Sequence, residues 1–397
     1  MFEAARWGDD IEHTSALTGF LAGAVAGLAM VAAASFIIGP AVERALGGLL
    51  GNPVDLTCGR KVLTDEADFV IPGLMPIEWS RFYASDLDTG SVLGRGWTLP
   101  WEQSLRRNGC FVYLNDNQGR SVPFVDVEPG ERIYNPHEQL TLVRTIGGHY
   151  ILQTLDNLFF YFGEVPNDNR EVPLQRLENA LGHYLHLTRN ADGCLTDISA
   201  PGGIRLHLHY EAPFGRLTSV KRIVDDAAVE TLVQYRYDSA GQLVHVTNRN
   251  GDTSRTFGYD DGLMDRHSNA LGLICEYRWD EIEGQRRVVE HSTSDGEHYQ
   301  FRYDTAARTS WATDALGREL QIQYNEDNHI IASRQDHPRC ASGIRLRRRG
   351  SPAEHPAQTK RHRQATRHQR RNAGIPLRPA RPADAGNHHR RCPGLRV

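Results

Sequence analysis

The feature that most constrains the fold is a dipeptide that recurs through the second half of the chain. An aromatic residue followed by an acid or amide returns at intervals of 20 to 24 residues. Its five copies are Tyr237-Asp238, Tyr259-Asp260, Trp279-Asp280, Tyr303-Asp304 and Tyr324-Asn325. A glycine precedes each of the last four aromatics by seven or eight residues, namely Gly251, Gly272, Gly296 and Gly317. A period of this length is typical of stacked supersecondary units, so we predict a repeat array.

The residues between these dipeptides indicate β-hairpins. From Gly51 onward, stretches rich in aromatic and β-branched residues alternate with turns such as NRNG, SNALG, TSDG and TDALG, and no long amphipathic helix pattern interrupts them. We therefore predict an all-β fold of antiparallel hairpins over about residues 51–338, in one continuous curling sheet whose repeats begin near Leu177. The five aromatics are expected in equivalent positions, each packed on its neighbour, with each Asp or Asn closing the next turn. The turn glycines are expected to take positive φ.

The N-terminal region has a different character. Residues 16–39 contain no charge, and as a helix of about 36 Å they would cross a bilayer core of roughly 30 Å. The acidic residues before this segment are unlike a secretory signal. Gly19, Gly23 and Gly27 would form a flat stripe that another helix or a groove could approach closely. The alternative is that this spacing is incidental in a segment rich in glycine and alanine.

The C-terminal residues 341–397 are strongly basic. They hold 14 Arg and one Lys against only Glu354 and Asp384, a net charge of +13, and they contain no Phe, Tyr or Trp. Because the net charge of the whole chain is −4, the remaining residues carry a net charge of −17. Such a segment cannot bury enough apolar surface to fold, so we predict that it lacks stable structure. It could be a nucleic-acid-binding arm, the start of a toxin domain or an out-of-frame translation. The abrupt change after Gln335, in mid-repeat, favours the last.

No catalytic or metal-binding pattern stands out. The six cysteines are scattered without a CxxC pair and are expected to be reduced, and the chain has no Gly-rich phosphate loop or nucleophile elbow. His207 and His209 would share one face of a strand, but no third ligand follows at matching spacing. We therefore predict no enzyme activity, no cofactor and no metal site.

The repeat resembles the YD repeats of the Rhs family of bacterial polymorphic toxins. The stretch before it resembles the β-domain that precedes the repeats in that family, through Asp68, Pro72, Gly73, Trp79, Arg81, Tyr83, Ser85, Gly94, Gly96 and Trp97. The segment AARWGDDIEH resembles the short motif that precedes a transmembrane helix in Rhs effectors carrying a PAAR tip, through Ala4, Ala5, Arg6, Asp9 and His13.

The resemblance implies four regions. These are an N-terminal motif with a transmembrane or chaperone-binding helix (1–50), a pre-repeat β-domain (51–175), YD repeats (176–338) and a disordered Arg-rich tail (339–397), which is read as out of frame. In such proteins the repeats form a hollow β-cocoon around a C-terminal toxin, and a secretion chaperone holds the N-terminal helix before it enters the target membrane. A PAAR domain docks the effector on the type VI secretion spike, but there is no room for one between Gly39 and Gly51.

The resemblance therefore predicts a non-enzymatic shell fragment of an Rhs-type toxin, truncated by a frameshift, that serves interbacterial competition. Its expected partners are a secretion chaperone for the N-terminal helix and a membrane. Type VI spike proteins are possible partners, although no PAAR domain is seen in the chain. No specific nucleic acid is expected. Its expected location is membrane-associated, or secreted from a bacterium through a type VI system. The alternative is a membrane-anchored YD-repeat surface protein that binds glycans or proteins. A repeat-containing alternative reading frame near Gln335 would support the truncation.

Overall fold

A computed structural model describes residues 49–50, 53–88 and 90–336. These residues are all-β and antiparallel, as predicted, apart from one 3-10 turn at Pro100–Glu102. Within them, no helix has the length and apolar character needed to cross a membrane. The predicted helix at 16–39 with its glycines, the N-terminal motif and the basic tail all lie outside the described residues.

The first eight strands range from two to ten residues in length. They are β1 Leu49–Leu50, β2 Val54–Asp55, β3 Val62–Ile71, β4 Ile77–Ala84, β5 Trp97–Thr98, β6 Ser104–Asn108, β7 Phe111–Asn115 and β8 Ser121–Val125. The next ten are β9 Arg132–Asn135, β10 Leu140–Arg144, β11 His149–Thr154, β12 Phe159–Glu164, β13 Glu171–Pro173, β14 Arg176–Glu178, β15 Tyr184–Arg189, β16 Leu195–Ala200, β17 Ile204–Glu211 and β18 Arg216–Val224. The last ten are β19 Ala227–Tyr237, β20 Leu243–Asn248, β21 Thr253–Asp260, β22 Leu263–Asn269, β23 Ile274–Ile282, β24 Gln285–Thr293, β25 His298–Asp304, β26 Thr309–Asp314, β27 Glu319–Tyr324 and β28 Ile330–Asp336.

The strands from β9 onward, except β13, form one sheet that closes on itself. The earlier strands form separate small sheets, ordered β1-β2, β3-β4-β5 and β13-β6-β7-β8. The predicted curl is therefore present, but the prediction of one continuous sheet from residue 51 is wrong. Strand β4 is buried or half-buried at every position, so it belongs in an interior rather than in a sheet with one solvated face. The closed sheet begins at Arg132.

The first small sheets lie inside the closed sheet. Tyr150 on β11, Arg189 on β15, Tyr235 on β19 and Arg287 on β24 each hydrogen bond to residues between 58 and 126. Strands from around the closed sheet thus contact one body, which must therefore occupy its inner side. We call residues 53–88 and 90–127 the inner domain, and its contact with the sheet the seam.

The turns follow one local rule that the sequence signals. In the turn after β20, the side-chain oxygen of Asn248 accepts hydrogen bonds from the N–H groups of Asn250 and Asp252, at 2.9 and 3.0 Å. Asn269 and Asp314 form the same pattern in their turns. The four predicted turn glycines have positive φ, as expected, with values of 74° to 100°; they are Gly251, Gly272, Gly296 and Gly317. Each turn is thus closed by residues within five positions of one another.

Candidate functional site

The repeated aromatics lie at the ends of alternate strands and bond to the strand before them. Four donate to a backbone carbonyl at 2.6 to 3.0 Å: Tyr237 to Leu217, Tyr259 to Leu243, Trp279 to Met264 and Tyr303 to Val288. Tyr210, which lies seven residues after Gly203 and is followed by Glu211, bonds to Leu195 in the same way at 2.7 Å. The aromatic therefore joins each hairpin to the preceding strand by a side-chain bond as well as by the backbone ladder.

The prediction that neighbouring repeat aromatics pack on one another is wrong. Among the described residues, the close ring pairs join none of the five to one another. The stacked series is instead built from residues on the buried face, with Tyr277, His291 and Tyr299 side by side on β23, β24 and β25. Because the dipeptide aromatic directs its polar end to a carbonyl of its own sheet, its ring lies beside that strand rather than over the next aromatic.

The acid or amide of the dipeptide closes some turns but not all. Asp238 accepts from the N–H groups of Ala240 and Gln242, and Asn325 accepts from those of Asp327 and His329. Asp304 accepts from the N–H of Ala307. Asp260 and Asp280 stand before tight hairpins instead. There Asp261-Gly262 and Glu283-Gly284 take positive φ at both positions, so the backbone makes the turn without a closing side chain.

A buried ionic network crosses the seam near β19 and β21. Arg81 of the inner domain donates two hydrogen bonds to Asp68, at 2.8 and 2.9 Å, and lies 3.5 Å from Glu66. Glu66 in turn accepts two bonds of 2.6 Å from Arg255 on β21. Although burial disfavours the charge, Asp68 and Glu66 keep the pKa of Arg81 above its ordinary value. This paired geometry compensates charges that would be costly to bury alone.

Two tryptophans anchor the inner domain on tyrosines of the closed sheet. The Trp79 indole N–H donates to the Tyr235 hydroxyl at 2.8 Å, and that hydroxyl donates to Asp68. The Trp97 indole donates to the hydroxyl of Tyr259 at 3.0 Å. Burial raises the pKa of Tyr259 well above its ordinary value, so its hydroxyl stays protonated and donates to the Leu243 carbonyl of the preceding strand. Tyr259 therefore serves both the repeat and the seam.

A third contact lies beside β24, where chain backbones meet closely. The Gly59 carbonyl accepts from the Val288 N–H at 2.8 Å, and Arg287 donates to the Cys58 carbonyl at 2.6 Å. Gly59 has φ +74°, and a Cβ placed there would lie 2.7 Å from the Cβ of Arg287. Only glycine satisfies both the backbone conformation and the close approach.

Cavities in this region are of small-molecule size. One of about 690 Å³ is lined by Trp101 and Arg189, among others. A second of about 540 Å³ is lined by Arg60 and His329, and a third of about 360 Å³ by Arg81 and Asn269. Ligand pockets are usually about 300 to 1,000 Å³, so these spaces could hold small molecules but not a folded domain.

The described residues contain no group of three or more His, Cys, Asp or Glu side chains placed to hold a metal ion. His207 lies 3.3 Å from Asp197, and His209 lies 3.8 Å from Glu211. The expectation that all cysteines are reduced is wrong for Cys110, which is disulfide-bonded. Cys58, Cys194 and Cys275 are free.

Comparison with known proteins identifies two segments. Residues 1–59 match the motif described as the class I prePAAR effector Rhs1 motif, and residues 51–124 match a domain of unknown function, DUF6531. The double-stranded DNA deaminase toxin A of Burkholderia cenocepacia is 40% identical over 293 residues, which are 73% of this chain and 20% of that protein. The toxin protein Tse5 of Pseudomonas aeruginosa is 27% identical over 323 residues, which are 70% of this chain and 24% of that protein.

A third relative is the probable deoxyribonuclease RhsA of Dickeya dadantii, 24% identical over 289 residues, which are 72% of this chain and 20% of that protein. Among solved structures, the Photorhabdus luminescens Tc holotoxin pore matches with a TM-score of 0.26 at 11% identity, covering 57% of this chain and 15% of that one.

The chain is thus an antiparallel β-sheet closed around an inner domain, and it carries an Rhs-type N-terminal motif. It belongs to the Rhs family of toxins, and it corresponds to an N-terminal shell portion of such a protein. It spans about a fifth to a quarter of the length of these curated relatives.

Proposed function

We propose that this chain forms the sealed end of a non-enzymatic shell that encloses and delivers a toxin in competition between bacteria. The observation that carries the proposal is the seam, in which the inner domain bonds to strands β11, β15, β19, β21 and β24 of the closed sheet. The cavities described above are too small for a folded domain, so the toxin would lie in a chamber built by further repeats. This region would close that chamber at one end.

The proposal extends to how the protein is delivered. The prePAAR motif and the similarity to Tse5 support a type VI secretion context. In that context residues 16–39 would be held by a chaperone until they meet the target membrane, and the chain would be secreted or membrane-associated. A Gly23→Leu variant should lose capture by the cognate chaperone, because a bulky side chain separates backbones at the glycine stripe. A Leu28→Ile variant in the same segment is the control, and equal capture of both variants would contradict the groove role.

A chimera tests the shell function. Residues 49–336 replace the homologous stretch of the Burkholderia cenocepacia relative, and the full-length chimera is assayed for protease resistance and for killing of competitor cells. The proposal expects both properties to survive. A matched chimera with Glu66→Ala and Asp68→Ala leaves Arg81 and Arg255 without carboxylate partners, and it should lose protease resistance. A folded chimera whose toxin is cleaved as readily as the free toxin would contradict the shell role.

A further inference from the structure

His291 on β24 is a histidine completely enclosed at the seam. Its exposure is 0%, and neither of its ring nitrogens has a hydrogen-bond partner. Tyr277 on β23 and Tyr299 on β25 stand directly opposite it in register, with ring centroids 5.0 and 6.3 Å away. Buried polar groups are nearly always hydrogen bonded, so an imidazole in this position calls for a specific explanation.

The inner domain covers this part of the sheet. Val54 and Leu56 belong to the same buried apolar cluster as Tyr277 and Tyr299. Lys61, also 0% exposed, places its ammonium 4.5 Å from the centre of the Tyr277 ring and 2.9 Å from the Val62 carbonyl. Residues 54–62 therefore pack on the part of the sheet that holds His291 and its two flanking tyrosines.

Burial, Lys61 and His298 lower the pKa of the His291 ring, and Asp295 raises it. The titratable and charged groups around His291, Lys61 and the two tyrosines include Glu66 of the inner domain, Arg255 on β21, His267 on β22, Cys275 on β23, Glu290 on β24, Asp295 and Glu297 in the following turn, and His298 on β25. Glu66 is bonded to Arg255, and Glu290 to His298. No carboxylate bonds to the His291 ring.

We propose that the seam is a proton-sensitive closure, in which protonation of His291 favours release of residues 54–62 from strands β23 to β25. The closed state excludes water and holds Lys61 nearby, so it accepts a second cation poorly. The open state hydrates both groups. Opening therefore takes up a proton, and acid shifts the equilibrium towards the open seam.

The direction and the pH range of this effect follow from the pKa of His291 in the closed and open states of the seam. Burial, with Lys61 adding to it, lowers the pKa of His291 from 6.5 to about 3 in the closed state. The contribution of His291 to closure is therefore present in full above pH 6.5 and is lost as the pH falls from 6.5 towards 3. Burial also lowers the pKa of Lys61, which acts in the same direction, whereas burial raises the pKa of Glu297, which acts in the opposite one. One proton changes the opening constant by up to about tenfold per pH unit.

Hydrogen–deuterium exchange on the full chain tests the proposal, with rates corrected for intrinsic exchange at each pH. Between pH 7.5 and 5.0 the opening constant for residues 54–62 should rise by up to about 30-fold, since 5.0 lies 1.5 units below the ordinary pKa. A His291→Phe variant keeps a ring between the two tyrosines and should lose most of this dependence. The control His209→Phe changes an exposed histidine on β17 and should retain it.

Two results would overturn the proposal. One is a wild-type chain whose protection at residues 54–62 is the same at both pH values, and the other is a His291→Phe variant with the wild-type dependence. If that variant does not fold, Lys61→Met takes its place. It removes the neighbouring cation and should weaken the pH dependence, and an undiminished dependence would equally refute the role of this cluster. None of these readouts depends on enclosure of a toxin.

Discussion

Two repeat tyrosines offer a matched test of how the seam is held. Tyr259 and Tyr303 hold equivalent positions, and each donates its hydroxyl to a carbonyl of the preceding strand, at 2.9 and 2.7 Å. Tyr259 differs because its oxygen also accepts the indole N–H of Trp97, a residue with 0% exposure. Replacing either tyrosine by phenylalanine removes the same atom, yet only one replacement leaves a buried donor of the inner domain unpaired.

The expected magnitudes follow from that difference. Tyr303→Phe should lower the free energy of unfolding by about 1 kcal/mol, the net value of one hydrogen bond. Tyr259→Phe should lower it by about 2 to 4 kcal/mol, because an unsatisfied buried N–H adds roughly 1 to 3 kcal/mol. Urea denaturation of the full chain, followed by circular dichroism, measures both values from the shift of the midpoint at constant slope.

A double-mutant cycle isolates the bond from Trp97. In a Trp97→Phe background no indole donor remains, so Tyr259→Phe should then cost about 1 kcal/mol, as Tyr303→Phe does. Equal effects of the two single tyrosine variants would refute the reasoning. So would a cost of Tyr259→Phe that stays the same with and without the indole.

Two further predictions concern turns and charges. Gly272→Ala, at φ +83°, should destabilise the fold by about 1 to 2 kcal/mol, whereas Gly147→Ala, which has no positive φ, should change the thermal unfolding temperature little. Arg255→Ala should lower the free energy of unfolding by about 2 kcal/mol, because it removes both hydrogen bonds that Arg255 donates to the buried carboxylate of Glu66, whereas Arg278→Ala, at an exposed pair, should cost less than about 1 kcal/mol by urea denaturation. If the two glycine variants lost equal stability, the role given to positive φ would be contradicted. If the two arginine variants did, the role given to the bond with Glu66 would be contradicted.

The sequence by itself determined the local structure of the repeats. The hairpin period and the positive φ of Gly251 depend on interactions within one or two strands, such as the Asn248 side chain bonding to N–H groups two and four residues on. The repeat aromatics are part of the same local order, since the Tyr303 hydroxyl reaches a carbonyl only 15 residues earlier. Interactions over such short separations leave a periodic trace in the sequence.

Only the tertiary structure decided where the sheet closes and what fills it. The bond from Trp79 to Tyr235 joins residues 156 positions apart, and the pair of Glu66 with Arg255 spans 189. Neither partner has a neighbouring residue that signals the other, so no spacing rule could have paired them. The buried position of His291 arises in the same way, because residues 54–62 enclose it from a distant part of the chain. Burial depends on which surfaces meet, and that is settled by the closure of the whole sheet rather than by any one repeat.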